Sequence, residues 1–141
     1  MVRTIPLSRR SHVTGFHPVK AGHGMVPFES TLERDFLSLI ANWPCFHTVV
    51  AQPITVPWFD GNRWRRYTPD FRLELMQVPN HLAELGYAAV TFIEVKYADD
   101  FEKDKEAIQA RLDAVRTATD QPAIIANEHF IRQPLNVGEA S

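Results

Sequence analysis

A mixed α/β domain is the fold class this sequence predicts, and three observations predict it. Apolar residues from Ser30 to Pro44 recur at helical spacing. From Thr48 to Tyr97 the chain is dominated by β-branched and aromatic residues in strand-like runs, punctuated by Pro and Gly. Asp99 to Thr119 returns to helical spacing, and Ala123-Ile124-Ile125-Ala126 follows as a short apolar strand. The order helix, antiparallel strands, helix, strand lets the last strand join the sheet by a right-handed crossover.

Ser30-Thr31-Leu32-Glu33 matches a capping box, so the first helix should begin at Ser30. Leu32, Phe36, Leu39, Ile40 and Trp43 form its apolar stripe, and Pro44 ends it. Thr48 to Trp58 is β-rich, but Pro53 and Pro57 predict an edge strand or two short strands. Asp60-Gly61-Asn62 is a hairpin turn leading into Trp64–Tyr67. A run opened by Asp70 alternates, with Phe71, Leu73 and Leu75 on one face and Asp70, Arg72 and Glu74 on the other. Pro79 to Gly86 is a surface excursion, after which Ala89–Tyr97 resumes as a strongly apolar strand. The helix over 99–119 turns Phe101, Ala107, Ile108, Leu112 and Val115 inward, Gln121-Pro122 ends it, and a last helical turn holds Phe130 and Ile131.

A chain of 141 residues is long enough to bury a core but short for two domains. Its 45% apolar and 23% charged residues are a globular composition, which excludes a disordered chain. Cys45 is the only cysteine, so neither an internal disulfide nor a cysteine metal cluster can form. The start, Met1-Val2-Arg3-Thr4, lacks an apolar signal core and no stretch reaches membrane-spanning length, so a cytoplasmic domain is expected. Residues 1–28 hold Arg3, Arg9, Arg10 and Lys20 and no acid, although the net charge is only −2. The division expected is therefore a basic N-terminal arm over 1–28, a catalytic body over 29–135 and a tail over 136–141, an arrangement suited to nucleic acid.

The chemistry concentrates in two strands. Glu94 and Lys96 are two residues apart and share a face, while Ile93 and Val95 point oppositely. An acid and a lysine in so apolar a strand are costly to desolvate unless paired or metal-bound. With Asp70, they make two carboxylates and an ammonium, which can hold Mg²⁺ and stabilise the charge of a phosphodiester being cut. Glu33 has two readings, as partner of Ser30 in the capping box or as an inward acid bordering Phe36, Leu37 and Ile40. Arg63, Arg65 and Arg66, interleaved with Trp64 and Tyr67, could track phosphates toward Asp70; alternatively the two aromatics pack in the core while the arginines face water. No recognition helix is evident, and the six histidines have no zinc-like spacing.

Taken together, helix glutamate, Thr68-Pro69-Asp70-Phe71 strand, Glu94-Val95-Lys96 strand, helix and strand resemble the PD-(D/E)xK restriction-endonuclease-like superfamily. More narrowly, Arg10-Ser11-His12, residues 28–36, Gln52-Pro53, residues 67–71, Glu94-Val95-Lys96 and residues 126–132 run in the order of the nuclease domain of TnsA. TnsA is the endonuclease subunit of heteromeric bacterial transposases. The resemblance implies a divalent-metal-dependent nuclease that cuts the 5′ ends of a transposable element in double-stranded DNA. A partner DDE-type transposase, TnsB-like, would cut and join the 3′ ends.

By position the resemblance makes Glu33, Asp70, Glu94 and Lys96 the catalytic set. Glu33, Asp70, Glu94 and the carbonyl of Val95 would hold one or two Mg²⁺ or Mn²⁺ ions, and Lys96 would orient water or steady the phosphate. Arg9, Arg10, Lys20, Arg63, Arg65 and Arg66 are the expected DNA contacts. Proteins of this family commonly carry a further C-terminal helical domain that engages an ATP-dependent regulator. The chain ends at Ser141, so the expectation is a minimal version relying on the transposase, or one whose regulator-binding function lies on another polypeptide. Two alternatives stay open: a stand-alone phage or defence nuclease, and a non-catalytic DNA-binding assembly subunit with the same fold.

Overall fold

A computed structural model describes residues 13–133. It is a mixed α/β arrangement built on a four-stranded mixed sheet. The sheet contains β3 (Phe46–Ala51), β6 (Phe71–Leu75), β7 (Val90–Val95) and β8 (Ala123–Ala126), in that spatial order. The β3–β6 and β6–β7 pairs are antiparallel and the β7–β8 pair is parallel. Two small antiparallel hairpins accompany it: β1 (Gly15–His17) with β2 (Val26–Phe28), and β4 (Val56–Phe59) with β5 (Trp64–Tyr67).

Among the described residues there are five helices: α1 (Thr31–Ala41), α2 (Asn80–Ala83), α3 (Ala98–Lys103), α4 (Lys105–Thr119) and α5 (Glu128–Ile131). α1 begins where the cap predicts, the Ser30 hydroxyl accepting from the Glu33 N–H at 3.1 Å. Its buried residues are Leu32, Phe36, Leu37 and Ile40; Leu37 takes the deep position expected of Leu39. The alternation of β6 buries Phe71, Leu73 and Leu75, and Phe36 stacks on Phe71 with ring centres 5.6 Å apart. This cluster fills one face of the sheet. The other face is covered by α4 and the β4–β5 hairpin through Val56, Trp58, Phe92, Ile108, Leu112 and Val115. No helix among the described residues is long and apolar enough to cross a membrane.

Thr48–Trp58 resolves into two strands, the second of the two readings its prolines allowed, separated by Gln52 with a left-handed φ of 47° and by Pro53. Two other expectations are redrawn. The helix expected over 99–119 breaks at Asp104, φ −137°, so that α3 and α4 are distinct; an aspartate is a poor helix-interior residue. The described half of the stretch read as an arm is folded, since Val26 and Phe28 of β2 lie in the core. Gly15 is required there, because a Cβ would meet the Phe28 ring at 2.7 Å. Charge and glycine content masked an apolar alternation only three residues long.

Candidate active site

The residues singled out in α1, before β6 and at the end of β7 meet in one cleft of about 270 Å³. Glu33, Asp70, Glu94, Val95 and Lys96 line it, together with Glu29, Tyr97 and Asp100. The packing explains why. Phe36 lies one helical turn beyond Glu33 and stacks on Phe71, the neighbour of Asp70, so a core contact brings the helix acid to the strand acid. The register pairing Phe71 with Ile93 then sets Asp70 beside Glu94.

Asp70 sits just past the last bridged pair of β6, and its Oδ2 accepts from the Val95 N–H at 2.8 Å. The Asp70 carbonyl in turn accepts from the Gln52 N–H at 2.9 Å. In an extended strand the N–H and C=O of one residue leave on the same edge. The Val95 carbonyl therefore faces the Asp70 side and not β8, which is paired instead through Lys96 N–H to the Ala126 carbonyl at 3.1 Å. Glu94 is 7% exposed. One of its oxygens accepts from the Tyr67 hydroxyl, and the other lies 3.6 Å from Lys96 Nζ.

Glu33 departs from the capping box and borders the cleft. Its Oε1 accepts from the Glu29 N–H at 2.9 Å, one residue earlier than a standard capping box would place the bond, while the carboxylate lines the cleft. Burial raises its pKa above the usual carboxylate range, with Glu29 and Glu94 adding repulsion. Asp70 is raised further. Burial is the main cause, and the charges of Glu94 and Glu33 push the same way against the Val95 N–H and Lys96. Burial and Glu94 likewise raise the Tyr67 phenol, which therefore remains a donor.

The arrangement is short of positive charge. Among the described residues, no three His, Cys, Asp or Glu side chains are gathered as a ready-made metal cluster. One Glu33 oxygen caps Glu29, and both Glu94 oxygens are engaged by Tyr67 and Lys96. The donors are nonetheless hard oxygens, and the repulsion felt by Asp70 is what a divalent cation relieves, so the residues present suit Mg²⁺ or Mn²⁺.

The expected DNA contacts divide. Arg9 and Arg10 lie outside the described residues. Lys20 is not in the cleft; its Nζ stands 5.2 Å from the ring centre of Phe46, at the opposite end of β3 from Gln52. Arg63 and Arg66 are exposed on the β4–β5 hairpin, whereas Arg65 is paired with Asp60. Neither reading of the aromatics holds for both: Tyr67 is buried and Trp64 is 68% exposed.

Sequence reasoning did not assign site roles to Tyr67, Glu29, Gln52 or Asp100. Tyr67 had a signal, since it ends the strand three residues before Asp70. Gln52 carries Asp70's carbonyl on its N–H and reaches Glu29 Oε2 at 3.2 Å, neither of which a β-rich run reveals. Neither a protein-family model nor a curated protein matches the chain, so its site stands on its own chemistry.

Proposed function

We propose that this chain is a divalent-metal-dependent DNA endonuclease of the PD-(D/E)xK type, acting as the TnsA-like subunit that cuts the 5′ ends of a transposable element beside a DDE-type transposase. The observation that carries the reading is the meeting of Glu33, Asp70, Glu94 and Lys96 in one cleft, with Asp70 held at a raised proton affinity by burial and by its acidic neighbours. Acids that line one cleft with perturbed proton affinity, beside an ammonium, mark a candidate site for cations and phosphates.

Asp70, Glu94, Glu33 and the Val95 carbonyl are the groups that would hold the ion. A bound divalent ion supplies positive charge to the phosphate and lowers the pKa of coordinated water. The chain's own residues do the rest. The Val95 N–H fixes the Asp70 carboxylate, and Tyr67 fixes that of Glu94, so neither acid must be ordered when substrate arrives. Lys96 is held by Glu94 at the mouth of the cleft, where its ammonium can orient water or meet charge developing on a phosphate oxygen.

The test is cleavage of element-end DNA, with and without the neighbouring transposase, in Mg²⁺ and then in EDTA. Nicking at the 5′ ends should require the metal and disappear in Asp70→Ala and Lys96→Ala while assembly with the transposase persists. Full nicking by either variant would sink the assignment. Cleavage by the chain alone would favour a stand-alone nuclease of phage or defence origin.

A further inference from the structure

A second concavity, about 510 Å³, lies between the β4–β5 hairpin and α4, outside the carboxylate cleft. Arg111 of α4 forms its inner wall. The guanidinium carbon is 5.5 Å from the ring centre of Trp58 and 5.4 Å from that of Tyr67. Arg111 Nε is buried, and among the described residues it has no hydrogen-bond partner. An N–H of a charged group that has lost water without gaining an acceptor is costly, and ring faces only partly offset it. Arg63 and Arg66 stand on the rim of the same cleft, with the exposed indole of Trp64. Arg65 is already committed to Asp60.

We propose that this cleft is a subsite for a single nucleic-acid strand, with a backbone phosphate on Arg111 and an unpaired base stacked on Trp64. The guanidinium edge is a fork that suits the paired oxygens of a phosphate. A carboxylate would satisfy the fork equally well, but a nucleotide brings the anion and a flat ring for Trp64 in one repeating unit. In a duplex those ring faces are covered by neighbouring bases, so the strand held here is unpaired. Tyr67 ties the two clefts together, carrying Arg111 over its ring and donating its hydroxyl to Glu94. Only Thr68 and Pro69 separate Tyr67 from Asp70, about 10 Å of extended chain at most. The proposal rests on the nuclease reading for its substrate class, but its test does not need cleavage.

The probe is a fluorescently labelled single-stranded 15-mer (about the span of one such groove), its binding followed by anisotropy in EDTA. Arg111→Met keeps a long side chain between the rings and removes the buried donor. It should melt no lower than the parent chain, yet bind the oligonucleotide about tenfold more weakly, with the salt slope reduced by about 0.7. Trp64→Ala should weaken the single strand several-fold and leave a duplex of the same sequence unchanged. If Arg111→Met does not fold, Arg111→Lys is read in its place, since it keeps the charge but not the fork. Unchanged oligonucleotide affinity in the folded Arg111 variant overturns the proposal, as does equal affinity for poly-glutamate. Arg111-dependent binding in EDTA together with failure to cleave in Mg²⁺ would keep the subsite and remove the nuclease reading.

Discussion

The carboxylate cleft and the hairpin cleft are joined through Tyr67, which lines the second and donates to Glu94 in the first, and they differ in how they carry charge. In the first, acids from α1, β6 and β7 are crowded beside buried strands, and burial together with mutual repulsion lifts Asp70 and Glu33 above their usual range. In the second, Arg63 and Arg66 stand in water on a two-stranded edge and only Arg111 is drawn inward, between rings. The difference separates chemistry from grip. Crowded buried charge stores a repulsion that an ion can discharge at one point, whereas dispersed exposed charge attracts a polyanion along its length.

The largest expected effect breaks the comparison on the acidic side. Asp70→Asn should lower metal-dependent nicking by at least 10²-fold to 10³-fold, roughly what loss of one preorganised electrostatic group costs. Arg66→Ala should leave the rate at saturating DNA unchanged and reduce the salt dependence of binding by about one unit. Single-turnover cleavage and anisotropy titrations on the same two variants check this. Equal effects of both variants on both measurements would erase the distinction.

Tyr67→Phe sharpens the comparison at the residue that joins the two clefts. It keeps the ring beneath Arg111 but removes the hydroxyl from Glu94, leaving a buried carboxylate one donor short at a cost of about 1–3 kcal/mol. Oligonucleotide affinity should survive while thermal stability and cleavage both fall.

Burial and repulsion at Asp70 also predict a pH effect. The folded chain holds the Asp70 proton more tightly than the unfolded chain does. Its contribution to stability is therefore fully present below the ordinary carboxylate range and is lost as pH rises through the raised folded value. In EDTA, the parent chain should gain stability relative to Asp70→Asn as pH falls from above the raised folded value into the ordinary carboxylate range, and Mg²⁺ at the higher pH should recover the difference. Paired melting curves read the sign directly.

The smallest effect divides the two roles of Glu33. Glu33→Gln keeps an oxygen for the Glu29 N–H and removes the charge, so stability should hold within about 0.5 kcal/mol while cleavage falls. Glu33→Ala should lose about 1 kcal/mol as well, the usual worth of a cap.

Much of this was legible in the chain because it was local. The cap at Ser30, the Asp60 turn, the alternation after Asp70 and the Glu94–Lys96 spacing are each decided within a few residues, and each stands where the pattern put it. What the sequence could not supply was made by contacts between distant segments. The Gln52 N–H on the Asp70 carbonyl depends on β3 pairing with β6, and Arg111 reaches Trp58 and Tyr67 only once α4 packs on the hairpin. Lys20 belongs with these, since its charge was visible in the sequence and its place beside Phe46 was not.

The parallel pairing of β7 with β8 has a consequence for the order in which the molecule assembles. The Lys96 N–H is held by Ala126, and that bond can form only after α3 and α4 have returned the chain to the sheet. β3, β6 and β7 can pair earlier, through nearer neighbours in sequence. The lysine should therefore be among the last residues locked during refolding and among the first released when the sheet frays. Native-state amide exchange at Lys96, compared with that at Leu73, should report a lower opening energy for the sheet's catalytic end than for its middle.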